Sequence, residues 1–428
     1  LSFKKRKTLN KRPQILIFDI GKTNKKCIVF DEAYHVVFED SIVLNETADE
    51  DDHPCEDLQL LADWIESTFL KISQNPLLNI KAVNFSAYGA SFVYLNENGE
   101  TIAPLYNYLK PFSEKINHQF FKKHGDPQQM ASETASPILG NLNAGLQLYR
   151  LKYEQPILFE KIKYALHLPQ YLSSLISKRF YAETTSIGCH TLLWDFQRQA
   201  YHRWAESEGL TDKFPAINPS NHTSLDADSG IKVGIGLHDS SAALIPYLAS
   251  FKSPFLLLST GTWCIALNPF NQAPLTLEEL SQDCLCYLSY EGRPVKASRL
   301  FAGHEHEQAV QRFGLDFSQI KSFDSVKKLG RVGEAYLDFV SQLVEKQALA
   351  IKLVLTPTVR QIFVDGGFSK NEIFMTLLAQ AFPDREVFAA EVPQASALGA
   401  AVAIHEAWNT GPLPAQLVTL KRYNSEWK

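Results

Sequence analysis

Long apolar runs are missing from this chain of 428 residues. No stretch reaches the ~18 consecutive apolar residues that a membrane-spanning helix needs, so no membrane role is expected. A surplus of positive charge is missing too. Forty-two Lys and Arg stand against 47 Asp and Glu, a net charge of −5, so there is no global basic field and nucleic acid is not expected as a partner. Paired cysteine spacings are absent. Cys27, Cys55, Cys189, Cys264, Cys284 and Cys286 fall at irregular intervals with no C-x-x-C, which points to a reduced, cytoplasmic setting rather than a disulfide framework. Cys284-Leu285-Cys286 alone is not taken as a metal site. No G-x-G-x-x-G sits at a strand-to-helix turn, so a Rossmann dinucleotide site has no support. Gly21-Lys22-Thr23 is not a Walker A loop, because the glycine that loop requires five residues earlier is Leu16, inside a strand.

What is present reads as ordinary globular protein: 45% hydrophobic and 21% charged residues. A chain this long buries a large core without disulfide or metal staples, and ~150 residues per domain predicts two or three domains. The first twelve residues, LSFKKRKTLNKR, hold six basic side chains. They lack the apolar run of a signal peptide and read as a solvated basic tail over 1–12, with a targeting or membrane-surface role as the lesser reading.

Gln14 to Phe18 and Cys27 to Asp31 read as two strands of a hairpin, with a third near Val36 to Val43. Apolar residues at helical spacing (Leu58, Leu61, Trp64, Ile65, Phe69) predict a helix within His53–Ile72, with Pro54 in its first turn. Lys81 to Ser86 and Ser91 to Leu95 are strand-like. From Ser113 to Glu208 the pattern is mostly helical, broken at Pro127, Pro137, Pro156 and Pro169. The character changes at Leu225 to Gly230, and a second β-rich start follows. Ile231 to Ile235 reads as a strand and Ser240 to Leu248 as a helix. Phe255 to Leu258 and Cys264 to Leu267 then flank a small turn. Later come helices over Glu334–Val354, Glu372–Ala381 and Ala395–Trp408, and a strand at Ile362 to Val364. Asp19-x-Gly21-x-Thr23 against Ser259-x-Gly261 is a weak internal repeat, and it suggests two similarly built lobes. The expected division is 13–230 and 231–428.

Three strand ends carry small polar turns: Asp19-Ile20-Gly21-Lys22-Thr23-Asn24, Thr260-Gly261-Thr262 and Asp365-Gly366-Gly367. Backbone N–H groups in such turns cradle phosphate oxygens, and glycine lets the phosphate come close. Hydroxyls of Thr23, Thr260 and Thr262 add donors, and Asp19 at a strand end suits Mg²⁺ held through water. Each turn alone is equally an ordinary hairpin or cap; the three together in one chain are more telling.

In that order the turns resemble the FGGY carbohydrate kinases of the actin–hexokinase superfamily. Asp19 to Lys26 resembles the family's first phosphate motif, and Ser259 to Trp263 its second. Gly236-Leu237-His238-Asp239 resembles the segment with the catalytic aspartate. Asp365 to Asn371 resembles the adenosine motif, and Gln394 to Ala401 the closing helix. The resemblance spans about residues 14 to 408. It implies an α/β fold of two ribonuclease-H-like (actin/hexokinase-type) lobes with a central cleft, a first lobe that binds sugar and a second that binds ATP. The His238-Asp239 pair is similar to the rhamnulokinase and fuculokinase branch. Three features depart from that branch: Ser91 replaces an aspartate, Gln147 and Arg150 stand near the usual Lys and Trp, and the stretch from Asn268 to Gly330 is short.

The resemblance implies ATP and Mg²⁺ as cofactors and a small sugar as partner; a homodimer is left open. Asp239 is the expected general base, with a helix N-cap as its plain structural alternative. Asp19 is expected to position Mg²⁺. Gly21, Thr23, Asn24, Thr260, Gly261 and Thr262 are expected on the phosphates, and Gly366, Gly367 and Asn371 on the nucleotide. Tyr88, Gly89, Ala90, Ser91, His238 and Asp239 are expected around the sugar, although His238 equally suits a packed interior. Lys22 and Lys25 read as solvated charges at the hairpin tip, and Lys26 as a phosphate contact or another such charge. His304-Glu305-His306-Glu307 lacks H-E-x-x-H spacing and reads as a polar loop or helix face. Trp194, Asp195 and Phe196 read as structural. The activity implied is ATP-dependent phosphorylation of a ketose such as L-rhamnulose or L-fuculose at O1. The alternatives are a kinase for xylulose, ribulose or glycerol, or a non-catalytic nucleotide-binding protein of the same fold.

Overall fold

A computed structural model describes residues 12–316, 320–392 and 394–424. The basic tail lies outside them except for Arg12, which is exposed and pairs with Glu32 at 2.7 Å. The chain forms two compact units. The first is Leu1–Pro246 with Tyr287–Arg293 and Gln394–Ala415; the second is Tyr247–Cys286, Pro294–Pro393 and Gln416–Lys428.

The core of the first unit is a mixed sheet. Its strand order is Thr223–Leu225, Lys232–Gly234, Ile80–Ala87, Gln14–Ile20, Lys25–Asp31 and Val36–Ile42. Gln14–Ile20 is antiparallel to its hairpin partner Lys25–Asp31 and parallel to Ile80–Ala87. Ile15, Leu16, Ile17 and Phe18 are all fully buried, as a strand covered on both faces requires. Helix Leu58–Ser73 packs Leu61, Ile65, Phe69 and Ile72 into this core. Its cap is Asp57, whose carboxylate accepts the N–H groups of Gln59 and Leu60. Pro54 is therefore not in the first turn; it opens the short strand Pro54–Glu56, where a missing N–H is tolerated. Pro127, Pro156 and Pro169 each sit in the first turn of a helix and start it.

The second unit repeats the plan. Its sheet runs Cys284–Leu288, Pro294–Leu300, Cys264–Asn268, Phe255–Thr260, Gln361–Gly366, Glu386–Glu391 and Thr419–Tyr423. Phe255–Thr260 is antiparallel to Cys264–Asn268 and parallel to Gln361–Gly366. In both units a hairpin plus a third antiparallel strand flanks one side of the first strand, and a parallel strand flanks the other. This is the ribonuclease-H-like order expected of each lobe.

The division at 230/231 differs from the structure. Lys232–Gly234 and Leu237–His238 both pair with Ile80–Ala87, so main-chain hydrogen bonds hold the Asp239 segment in the first unit. Helix Ala395–Ala403, expected in the C-terminal lobe, joins the first unit as well. Gly399 makes that packing close: a Cβ there would lie 1.8 Å from the carbonyl oxygen of Ala242. Asn84 Nδ2 also donates to Ala400 O at 2.8 Å.

Lys25 is a second correction. It is 1% exposed, its ammonium lies 2.5 Å from Glu56 Oε1, and it donates to Lys22 O at 3.0 Å. Strand pairing at Ile20↔Lys25 turns the side chain inward, where a charge needs a partner. Lys22, in contrast, stays partly exposed and pairs with Glu46. Truncating Lys25 to Ala strands the Glu56 charge in the interior and is expected to cost about 3–5 kcal/mol in urea unfolding. A loss below about 1 kcal/mol, the value of an exposed pair, would show that the pair is solvated after all.

Candidate active site

In the first unit, two carboxylates stand at strand ends on the same sheet edge. Asp19 lies in Gln14–Ile20 opposite Ser86; Asp239 follows Leu237–His238 and opens helix Asp239–Ser250. Burial pushes the Asp19 carboxyl up to about 6; the Ser396 hydroxyl opposes the shift and the nearby Asp239 charge adds to it. Ser396 Oγ donates to Asp19 Oδ2 at 2.9 Å. Burial likewise pushes Asp239 up to about 6, against donation from Ser240. The Ser240 N–H reaches Asp239 Oδ1 at 2.6 Å and its hydroxyl at 3.2 Å. An N-cap carboxylate accepts from residues two or three positions on; Asp239 accepts from the next residue, so the capping alternative finds no support in these bonds. Its side chain stays 35% exposed, leaving an edge open to a ligand.

Mg²⁺ usually takes one or two carboxylates plus waters and phosphate oxygens. Asp19 fits that demand. Ser396 fixes one of its oxygens, and its surroundings disfavour an uncompensated negative charge. Among the described residues no group of three or more His, Cys, Asp or Glu is arranged to hold a metal, so the protein's share of such a site would be small.

The segment expected around the sugar sits beside this pair. At Gly89 a Cβ would fall 2.6 Å from Cys189 Sγ and 3.1 Å from His238 Cδ2, so glycine is what lets the segment close on His238. Ala90 has φ +60°, and its carbonyl accepts from Gln147 Nε2 at 2.7 Å. Gln147 thus shapes the segment from below, while Arg150 stacks over the Tyr106 ring at 4.7 Å. Ser91 is buried and its hydroxyl has no hydrogen-bond partner among the described residues, as suits a ligand contact. The Tyr88 hydroxyl is already given to Glu56 Oε2 at 3.1 Å. His238 is buried, with both ring nitrogens engaged by Cys189 and Ser241; of its two expected roles the packed one matches its contacts. Thr23 and Asn24 are exposed at the hairpin tip, closed by Gly21 N–H to Asn24 O at 3.0 Å. Lys26 donates to Gln394 Oε1 at 2.9 Å.

The second unit holds a cavity of about 350 Å³ lined by Gly261, Thr262, Gly367 and Asn371. Four of the residues expected on phosphates or nucleotide therefore meet there. Gly303, His306, Lys321 and Lys370 line it too, and sequence reasoning missed them; His306 was read as part of a polar face. It does lie on a helix, Ala302–Arg312, but it faces inward to Tyr336 Oη at 2.8 Å. Two expected ligands also have structural duties. The Thr260 hydroxyl donates to Asp365 O and accepts the Phe368 N–H. Asn371 Oδ1 accepts from the Phe374 N–H at 3.0 Å, and Nδ2 donates to Tyr336 Oη at 3.2 Å. Gly366 has φ +82°, and a Cβ there would lie 1.9 Å from Thr260 O. Trp194–Asp195 forms a two-residue hairpin strand with Ala200–Tyr201. Cys284 and Cys286 are buried sheet residues.

Residues 14–245 match the FGGY family of carbohydrate kinases, N-terminal domain; residues 252–332 match the carbohydrate kinase FGGY C-terminal domain. A rhamnulokinase from Mannheimia succiniciproducens is 23% identical over 228 residues, 52% of this chain and 45% of the relative. The match thus spans about half the length of that relative. A carbohydrate kinase from Novosphingobium aromaticivorans superposes with TM-score 0.81 at 21% identity, over 96% of this chain and 94% of the other. A ligand-bound xylulose kinase from Lactobacillus acidophilus does so with the same TM-score and coverage at 15% identity.

The raised Asp239 carboxyl has a consequence for stability. Its folded value of about 6 lies above the ~3.9 of an unfolded aspartate, so its favourable contribution is complete below about pH 4 and is lost as pH climbs through about 6. Asp239→Asn is expected to be about 1 kcal/mol more stable than the parent at pH ~8, after allowing for solvent screening of the open edge. The gain should vanish below about pH 4. Equal urea midpoints at pH ~8 would show that Asp239 is an ordinary solvated carboxylate.

Proposed function

The chain belongs to the FGGY family of carbohydrate kinases, and from that premise we propose that it transfers the γ-phosphoryl group of ATP to a hydroxyl of a ketose. The favoured acceptor resembles L-rhamnulose or L-fuculose, and the product is the 1-phosphate. The observation that carries this reading is Asp239: a carboxylate with crowded surroundings, one open edge and a value raised to about 6. A sugar hydroxyl is a poor nucleophile, and a base poised near neutral pH takes its proton as the oxygen attacks phosphorus.

Ser91 and the Tyr88–Ala90 main chain would orient the sugar beside that base. The cavity in the second unit would take the nucleotide, with Gly261, Thr262 and Gly367 against its phosphates. Lys321 and Lys370 line the same cavity and would add positive charge. Asp19, steadied by Ser396, would hold Mg²⁺ through water. Bound there, the ion would neutralise phosphate charge. A second reading, prompted by Ser91 in place of the branch's aspartate, is another ketose or polyol as acceptor, such as xylulose, ribulose or glycerol. A cytoplasmic location fits six cysteines, none of them in a disulfide; no helix among the described residues is long and apolar enough to cross a membrane.

A coupled ADP-release assay with Mg·ATP and a panel of ketoses, aldoses and polyols tests this. One sugar is expected to stimulate turnover, and Asp239→Asn to lower it by ~10²–10⁴. ATP binding without stimulation by any sugar would favour a non-catalytic nucleotide binder.

A further inference from the structure

The ammonium of Lys25 is a buried charge that the proposed reaction does not use. Lys25 opens the second strand of the first hairpin, paired with Ile20, and its side chain and that of Glu56 are each 2% exposed. Nζ lies 2.5 Å from Glu56 Oε1 and donates to the Lys22 carbonyl oxygen at 3.0 Å. Glu56 is held in turn. It ends the strand Pro54–Glu56 opposite Glu46, and its second oxygen accepts the Tyr88 hydroxyl at 3.1 Å. Burial and the Glu56 charge push the Tyr88 phenol well up, so that hydroxyl keeps its proton and donates. The Tyr88 N–H donates to Ile20 O at 3.2 Å, which closes a ring of contacts from the strand end through Glu56 to Lys25.

These contacts orient one peptide group. A buried ammonium gives up water and takes protein oxygens in its place; beside Glu56, the Lys22 carbonyl is such an oxygen. That carbonyl therefore points into the molecule. The Lys22–Thr23 peptide is trans and planar, so its N–H points the opposite way to its C=O. The Thr23 N–H is thus turned out of the core, at a tip where Thr23 and Asn24 are exposed. The tip is also pinned at its ends. Gly21 N–H donates to Asn24 O at 3.0 Å, and the Lys22 ammonium pairs with Glu46 at 2.7 Å. An outward N–H in such a turn is a donor for a phosphate oxygen.

We propose that Lys25 is a positioning residue: gripped by Glu56, it holds the Lys22 carbonyl inward and so aims the Thr23 N–H at a nucleotide phosphate. The phosphate partner rests on the kinase reading; the orientation of the peptide does not. Lys25 itself, at 1% exposure, is covered by protein and acts through the main chain. The Glu56 carboxylate that fixes it also takes the Tyr88 hydroxyl, at the start of the segment expected around the sugar. One buried charge pair therefore touches the phosphate turn with its cation and the sugar segment with its anion.

The test is NMR of the full chain, labelled with ²H, ¹³C and ¹⁵N, with Mg·AMP-PNP as the probe. In the ligand-free protein the Thr23 amide is expected to exchange with solvent about tenfold faster than the bonded Gly21 amide, and to slow about tenfold once Mg·AMP-PNP is bound. The comparison variant is Lys25→Met with Glu56→Gln. It keeps side-chain volume, strands no charge in the interior and leaves an acceptor for Tyr88, so its urea midpoint is expected near the parent's. In it the Lys22 carbonyl carbon is expected to move upfield as the ammonium is lost, and the slowing at Thr23 to shrink to about twofold or less. On a sugar that supports turnover, this variant is expected to lower kcat/KM for Mg·ATP about tenfold, with KM for the sugar within about twofold. A Thr23 amide already protected in the ligand-free parent overturns the proposal, whatever the variant does, and so does a folded variant whose Thr23 response matches the parent's. Should Mg·AMP-PNP fail to bind the parent, the kinase reading fails, while the ligand-free Thr23 exchange and the Lys22 carbonyl shift still decide which way the peptide is turned and whether Lys25 turns it.

Discussion

Two parallel pairings made by one strand set the geometry of the first unit. Ile80–Ala87 places Ser86 opposite Asp19 on one side and opposite Leu237 on the other. Parallel neighbours end at the same sheet edge, so residues far apart in the chain reach it together: Asp19 from the first strand, Tyr88 to Ser91 from the strand end itself, and His238-Asp239 from the third. Register decides which side chains reach that edge, because a slip of one residue would turn Asp19 to the opposite face. The cost of the arrangement is two like charges in crowded surroundings. Ser396 and Ser240 lessen it with hydrogen bonds, without bringing either carboxylate back to its ordinary value.

Local elements were legible where a single period dominates. Gln14–Ile20 and Glu372–Ala381 follow from unbroken apolar patterning and, for the helix, from Asn371 as its cap. The unit boundary was not legible. Composition changes at Leu225 to Gly230, yet the strands after it return to the first sheet, and pairing between distant strands leaves no local trace. Lys25 was misread for a related reason. A lysine at a hairpin tip is usually solvated, and only the register and the facing Glu56, on another strand, bury it.

The candidate site divides the same way. Asp19, Gly21, Gly261 and Gly367 are candidates because each stands in a small polar turn at a strand end, and Asp239 because its segment resembles the family's. Ser396 could not be read: it reaches Asp19 from a helix near the far end of the chain. Cys189, Ser241 and Tyr287 surround His238 without sharing any motif with it. Thr260 and Asn371 carry the opposite lesson. Their residue types suit a phosphate or a nucleotide, but the structure has already spent their polar atoms on holding strand ends and a helix start in place.

The cavity in the second unit is walled by main chain at its tightest points. A Cβ atom added at Gly303 would fall 1.8 Å from the Gly261 carbonyl oxygen, whereas one at Gly367 would meet nothing within 4 Å. Side-chain exchange at Gly303 cannot reshape the wall without moving backbone, but exchange at Gly367 can narrow the cavity directly. Exchange of Lys321 or Lys370, which line the same cavity, would alter its charge more than its form. A small-molecule inhibitor anchored against Gly303 would meet a wall that no side chain can enter without moving backbone, whereas one anchored against Gly367 or the two lysines would lose its hold to a single exchange.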